Sequence, residues 1–240
     1  MIIDVRQYTL VDQVENHLLS FFKDHDLQCG DPIPNEITLA KELGVARSVV
    51  REALSRLRMM GLVYSRPRKG MVLTEPSILN SLKRVVDPRI MSENTLIDIL
   101  GFRVALEEGI STDIFRHITP ADIAELEEIV QMGIASENNE YSLVDEFAFH
   151  SKLYKITGNS TIAQFQELIH PVLTFVKKHF RDHLQPINIE MENNGTLVSH
   201  SDLLECIKRG DLAGYSRAIN RHFEVYRIFI DRRRSGTSSL

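Results

Sequence analysis

The strongest constraint on the fold is the helical spacing of apolar residues, which runs almost unbroken from Ser77 to Arg234. No stretch of this part alternates apolar and polar residues as a half-buried strand does. The spacing therefore predicts an all-α bundle, with room for a cavity between its helices. Seven helices are expected, over residues 77–86, 93–116, 120–136, 140–157, 160–183, 189–209 and 211–232.

The first 75 residues combine short helices with a small hairpin. In chain order they predict an amphipathic helix, a Gly- and Pro-rich turn, a short helix, a tight break, a third helix and a hairpin with a basic tip. This is the element order of a winged helix-turn-helix domain, which places a helix in the major groove of DNA. The helices are expected at 8–28, from a cap at Asn35 or Thr38 through Leu43, and at about 48–60, and the hairpin strands at 62–64 and 71–73.

Basic residues are concentrated in this N-terminal part. Residues 41–70 contain eight Lys or Arg and two Glu, although the whole chain has a net charge of −5. A basic block in an acidic protein indicates a local contact with a polyanion such as DNA. Arg47, Ser48 and Arg51 lie at the start of the third helix, where side chains reach base edges and phosphates. The alternative is a small helical domain with arginines on its solvated surface.

Three histidines in the C-terminal part predict a metal site. His150, His200 and His222 lie on separate predicted helices, and Glu146 precedes His150 by one turn. Imidazole and carboxylate groups from different bundle helices can hold Zn, Ni or Mn and leave positions open for a small ligand. Because the chain has nine histidines, ordinary surface or hydrogen-bonded histidines are the alternative on spacing alone.

A more specific pattern covers about 45 residues of the N-terminal part. The segments GDPIPNE (30–36) and LAKELGVARSVVREAL (39–54) closely resemble the GntR family of bacterial transcriptional regulators. The chain departs from the family at Ile37, where Arg is usual, and at Ala46, where Ser or Thr is usual. The resemblance implies a DNA-contacting set of Asn35, Arg47, Ser48, Arg51, Lys69 and Gly70.

A second resemblance covers the C-terminal part. RVALE (103–107), Phe149-His150, Thr157-Gly158-Asn159, HSDLLE (200–205) and His222-Phe223 are similar to the FCD ligand-binding domain of the FadR subfamily. The resemblance implies an effector that is a small organic acid or sugar acid, with Arg103 as its anion partner. A structural salt bridge between Arg103 and Glu107 is the alternative. The implied metal ligands are Glu146 (where Asp is usual, with Asp145 as the adjacent candidate), His150, His200 and His222.

The sequence therefore predicts a mainly α protein with two domains. A winged helix-turn-helix DNA-binding domain is expected at 1–75, an all-α effector-binding and dimerisation domain at 76–234, and a flexible tail at 235–240. A homodimer would bind an operator with inverted half-sites, and a divalent metal and a carboxylate effector would set its DNA affinity.

Three alternatives stay open for the C-terminal domain. It could respond to acyl-CoA without a metal, or serve for dimerisation alone. A metal-dependent hydrolase is the third, although the sequence has no HExxH motif, nucleophile elbow or phosphate loop. No apolar stretch of about 18 residues and no signal peptide is visible, so a cytoplasmic protein without a membrane partner is expected. Two distant cysteines suit a reducing compartment.

Overall fold

A computed structural model describes residues 9–66, 70–76, 79–83, 85–135 and 143–235. The chain forms two compact units, 1–84 and 85–240. Helices account for most of the described residues, and the strands form one small antiparallel sheet in the first unit. The predicted fold class, a winged helix-turn-helix followed by an all-α bundle, is confirmed. No helix of the described residues is long and apolar enough to cross a membrane.

The first unit has four helices and three strands among its described residues. The strand order is β1-β3-β2, and Ile33 of the first strand pairs with Met71 of the third. The sequence pattern predicted only a turn at Ile33; a strand of two residues is too short to show an alternating pattern. The elements are α1 (Leu10–Asp24), β1 (Pro32–Ile33), α2 (Glu36–Leu43), α3 (Arg47–Met59), β2 (Val63–Arg66), β3 (Gly70–Leu73) and α4 (Asn80–Lys83).

The core of the first unit lies between α1 and α3. Leu18 of α1 and Leu54 and Leu57 of α3 are among its fully buried side chains. Gly44 ends α2 with a φ of +64°, a left-handed conformation that favours glycine and lets α3 start after a short turn. Because one face of α3 is buried against α1, the opposite face, with Arg47 and Arg51, lies in solvent.

The second unit contains nine helices in its described residues, against six of the seven predicted for the C-terminal part, since the predicted helix over 77–86 corresponds to α4 of the first unit. Helix α8 packs between α7 and α9, and α9 also contacts α5 and α10. Buried polar side chains of α5, α8 and α11, which include Arg103 and His150, lie within this bundle. The helices are α5 (Glu93–Gly109), α6 (Ser111–His117), α7 (Pro120–Ala135), α8 (Leu143–Ile156), α9 (Ser160–His179), α10 (Arg181–Asn193), α11 (His200–Lys208), α12 (Leu212–His222) and α13 (Glu224–Arg234).

Three long predicted helices are each divided in two. The divisions fall at Ile110, Phe180 and Phe223, where one helix ends and the next begins. All three residues are apolar and buried. They therefore continue the hydrophobic spacing of the helices on both sides, and the sequence gives no signal of the break.

The predicted helix over 189–209 is wrong. Helix α10 runs through Pro186, which lies between the helices expected over 160–183 and 189–209, because its buried residues hold it against the bundle on both sides of the proline. The chain then leaves the helix at Gly195, which has a φ of +64°. Ser199 begins α11 with a capping box, in which its hydroxyl and the Asp202 carboxylate each accept a hydrogen bond from the other residue's backbone N–H.

Some predictions fall partly on residues that the structure does not describe. Of the helix expected over 77–86, α4 covers Asn80–Lys83, and residues 77, 78 and 84 lie outside the described residues. Residues 136–142, which include the expected start of α8, also lie outside them. The same holds for residues 236–240 of the expected tail.

Candidate metal centre and DNA-contacting surface

The three predicted histidines come together in the second unit. His150 lies on α8, His200 is the first residue of α11, and His222 is the last residue of α12. One nitrogen from each imidazole lies within 4.8 Å of the other two, and Nε2 of His150 is 3.2 Å from Nε2 of His200. His150 and His200 are buried, and His222 is half-buried. The side chains are thus close enough to bind one metal ion.

Hydrogen bonds fix which nitrogen of two imidazoles faces the cluster. Nδ1 of His150 contacts a carboxylate oxygen of Glu107, and Nδ1 of His222 lies 2.8 Å from the backbone oxygen of Val198. An ionised carboxylate and a carbonyl can only accept, so both Nδ1 atoms must donate. In a neutral imidazole this leaves Nε2 with a free lone pair, the form that metals bind. The donor set and its outer hydrogen bonds fit a divalent metal.

Burial keeps these imidazoles neutral. It lowers the pKa of His150 and of His200, and it lowers that of His222, beside His150, to about 3. Burial alone would raise the pKa of Glu107, but the adjacent His150 and Arg103 hold it at about 2. A neutral imidazole beside an ionised carboxylate is the usual arrangement around a protein-bound zinc ion.

The carboxylate of Glu146, the predicted fourth metal ligand, contacts two cationic side chains, those of Arg103 and Lys177. Its Oε1 accepts hydrogen bonds from Nη1 of Arg103 at 3.1 Å and from the Tyr226 hydroxyl at 3.3 Å. Its Oε2 forms an ion pair with Nζ of Lys177. The carboxylate does not belong to the group that the three histidines form among the described residues. Of the adjacent candidate, Asp145, only the backbone is described.

Arg103 is the most deeply buried charge of the site. Its Nε donates to Glu107 at 2.7 Å, so the salt bridge that the sequence offered as an alternative is present. Its guanidinium carbon lies 5.2 Å from the centre of the Phe223 ring. Its Nη2 is buried and has no hydrogen-bond partner among the described residues. The salt bridge and an anion-binding role are therefore compatible, because one donor nitrogen remains.

Lys177 and Glu107 were not predicted as parts of the metal centre. Lys177 lies on α9 with its side chain 25% exposed, and burial, followed by the charge of Arg103, lowers its pKa to about 7. Nothing in the local sequence distinguishes it from Lys178, which is exposed. Glu107 could have been found from the sequence, because it lies one helical turn from Arg103 in the RVALE segment.

In the first unit, three predicted DNA contacts lie on one exposed surface. Arg47, Ser48 and Arg51 occupy the first turns of α3, and all three side chains are exposed. Arg47 and Arg51 are four residues apart and so share a helix face. Nε of Arg47 donates to Glu36 of α2 at 3.1 Å, and Nη2 of Arg58 lies 3.7 Å from the same carboxylate. Glu36 thus restricts the orientation of Arg47 before DNA is bound.

The other predicted contacts lie around this surface. Asn35 is exposed and caps α2, where its side-chain oxygen accepts from the backbone of Ile37 and Thr38. Gly70 is exposed at the start of β3 with a φ of +73°, and Lys69 lies outside the described residues. Ile37 is 64% exposed, so an apolar side chain faces solvent where arginine is usual in the resembling family.

The chain matches two family models. Residues 98–225 match the FCD domain, and residues 10–73 match the model of bacterial regulatory proteins of the gntR family. The first match covers more than half of the chain and includes all three histidines of the cluster. The second covers α1 to β3.

Two bacterial relatives are similar over most of their length. LutR of Bacillus subtilis (strain 168), an HTH-type transcriptional regulator, is 25% identical over 211 residues, which are 80% of this chain and 96% of LutR. NanR of Edwardsiella tarda (strain FL6-60), an HTH-type transcriptional repressor, is 24% identical over 217 residues, which are 89% of this chain and 82% of NanR. Both are transcription regulators and not enzymes, as expected from the sequence.

A solved structure shares the fold. Streptococcus agalactiae GntR aligns with a TM-score of 0.53 at 20% identity, and the alignment covers 91% of this chain and 100% of that chain. At this level of identity the comparison supports the fold and nothing more specific.

Proposed function

Because the chain belongs to the FCD domain family and carries the DNA-binding domain of the gntR family of bacterial regulatory proteins, we propose a specific way in which this transcription regulator is controlled. A small organic acid binds at a metal-containing site in the second unit and changes the affinity of the first unit for its operator. The observation that carries the proposal is the convergence of three imidazole nitrogens within 4.8 Å in the matched FCD domain.

The DNA-binding part of the proposal assigns operator recognition to the start of α3. Arg47 and Arg51 carry guanidinium groups that can bind guanine or phosphate oxygens in the major groove, and Ser48 offers a hydroxyl to a phosphate or base edge. Asn35, Lys69 and Gly70 contact the flanking backbone. A homodimer places two copies of α3 on inverted half-sites about one helical turn apart.

In the metal part of the proposal, His150, His200 and His222 hold a divalent cation such as Zn, Ni or Mn. Glu107 and the backbone oxygen of Val198 orient two of these imidazoles. When bound, the cation supplies positive charge and open ligand positions to a carboxylate. Glu146 is the carboxylate available as a fourth ligand, on condition that it leaves Arg103 and Lys177.

The effector controls DNA binding because it binds different arrangements of the dimer with different affinities. An effector that binds one arrangement of the dimer more tightly shifts the population toward that arrangement, and so changes how often both α3 helices match the operator. Arg103 contributes an unpartnered Nη2 donor to an acidic group of the effector.

Elemental analysis of untagged protein tests the proposal, with His200→Ala as the control variant. About one Zn, Ni or Mn per chain in the wild type, lost in the variant, is the expected result. Circular dichroism of both proteins shows whether the variant keeps its helices. No metal in the wild type, even after incubation with each ion and removal of excess, would contradict the metal site and favour a metal-free effector such as acyl-CoA.

A further inference from the structure

We infer that the effector carries two carboxylates, and that Lys177 together with Arg103 binds the second of them. This inference rests on the proposed function, since it specifies the ligand of the same site. It assigns a role to a side chain that the metal cluster and the DNA surface do not use.

The first argument is that a carboxylate already lies between these two cations. Arg103 contacts Oε1 of Glu146 and Lys177 contacts Oε2, so both side chains converge on one carboxyl group from different helices. Arg103 still has its Nη2 donor without a partner. The position is therefore shaped for a carboxylate and has spare hydrogen-bonding capacity.

The second argument is the charge of the site. With Lys177 protonated, the form that its ion pair with Glu146 favours, Arg103 and Lys177 carry two positive charges, and Glu107 and Glu146 carry two negative ones, so these four side chains cancel. Metal-bound imidazoles are neutral, and a divalent cation would therefore leave two positive charges in a largely buried place. Such a net charge is costly in a low-dielectric interior. A ligand with two carboxylates neutralises both positive charges, whereas a monocarboxylate neutralises only one.

The third argument concerns distance. A continuous chain of contacts leads from Nδ1 of His150 through Glu107 and Arg103 to Glu146. The metal-binding nitrogens and the cation pair are thus separated by only a few side chains. Succinate and glutarate, which carry two carboxylates on short chains, are therefore suitable probes.

Lys177 also lies where an incoming ligand would meet it. Its side chain is 25% exposed, whereas that of Arg103 is fully buried. The ligand's second carboxylate exchanges with that of Glu146, which is then available to the metal. The cations thus keep an anionic partner throughout, and no buried charge is left alone.

The test compares acids that differ only in the second carboxylate. Metal-loaded wild-type protein is titrated by calorimetry with succinate and butyrate, and then with glutarate and valerate. In each pair the diacid is expected to bind at least about tenfold more tightly, which corresponds to about 1.4 kcal/mol.

Lys177→Gln is expected to abolish this preference, because it weakens the binding of the diacids far more than that of the monocarboxylates. Lys178→Gln, an exposed neighbour on α9, is the matched control and should behave as the wild type. Lys177→Arg keeps the charge and should retain the preference. Metal content and thermal midpoint are measured for every variant, so that a loss of metal or of folding is recognised.

The outcomes separate this inference from the proposed function. If monocarboxylates bind as tightly as diacids, or if Lys177→Gln weakens both equally, the inference is wrong while the metal-dependent acid site stands. If metal binds but neither class of acid does, both the inference and the proposed effector class are wrong. Stronger binding of methyl phosphate than of any diacid would also overturn the assignment to a dicarboxylate.

Discussion

Arg47 and Arg103 carry the same guanidinium group in opposite surroundings. Arg47 is 61% exposed and pairs with Glu36, whereas Arg103 is fully buried between Glu107 and Glu146. Water screens an exposed ion pair, so Arg47 can exchange Glu36 for DNA at little cost. A buried guanidinium without an anion is strongly destabilising, so Arg103 can only exchange one carboxylate for another. The DNA contact proposed for Arg47 is therefore reversible at little cost, whereas any exchange at Arg103 must supply another anion.

Replacing Arg47 by Ala is expected to weaken operator binding by about 1–3 kcal/mol, because a guanidinium bound to a base edge is lost. Fluorescence anisotropy at fixed salt measures this on an operator selected from random duplexes and on a scrambled duplex. Arg116→Ala, which removes an exposed arginine of the second unit, is the control and should leave both affinities unchanged. Equal losses on both duplexes would show that Arg47 contacts only phosphate.

Sequence spacing could predict some members of the metal centre and not others. His150, His200 and His222 could be singled out because imidazole is chemically distinctive, and the structure brings them together. Glu146 shares a helix face with His150, as its spacing requires, but spacing does not show which partner a carboxylate chooses. Lys177 could not be predicted, since its role depends on which helix packs opposite α9.

At the scale of helices and strands, the end of a helix can be predicted from the sequence where a polar residue caps it. Where a buried apolar residue ends the helix, the hydrophobic spacing gives no sign of the end. Asn35 and Asn159 are of a residue type that favours helix N-caps, and each accepts backbone hydrogen bonds at the start of its helix. Ile110 and Phe223 end helices although their side chains continue the hydrophobic spacing. Such ends are determined by packing between helices, which a single sequence does not display.

Ala46 gives a prediction for α3. It occupies the N-cap with extended dihedral angles but makes no side-chain hydrogen bond to the helix. Ala46→Thr adds a hydroxyl that can accept from the free backbone N–H groups, and should raise the free energy of unfolding by about 1 kcal/mol.

Urea denaturation measures this change, and Ala46→Val is the matched control because it has the same shape without the hydroxyl. The valine variant should be no more stable than the wild type. If both variants gain equally, the effect comes from the branched side chain and the capping explanation fails.

At the scale of the whole molecule, each unit has its own core. The apolar cluster of the first unit draws its buried members from α1, α2, α3, β1 and β2, all within residues 14–63. The histidines of the proposed metal site lie on α8, α11 and α12 of the second unit. A change in helical spacing and in charge along the sequence predicts two such parts.

The separate cores lead to a prediction about metal binding. A metal at 100 times its dissociation constant should stabilise the unit that binds it by about 2.7 kcal/mol, and so slow amide exchange of its most protected helices by about 100-fold. Hydrogen exchange of the metal-loaded and chelated protein is expected to show this slowing in α8, α11 and α12, with little change in α1 and α3. His200→Ala, treated in the same way, should show no difference. Equal slowing in α1 and α3 would contradict independent cores, because the two units would then unfold as one.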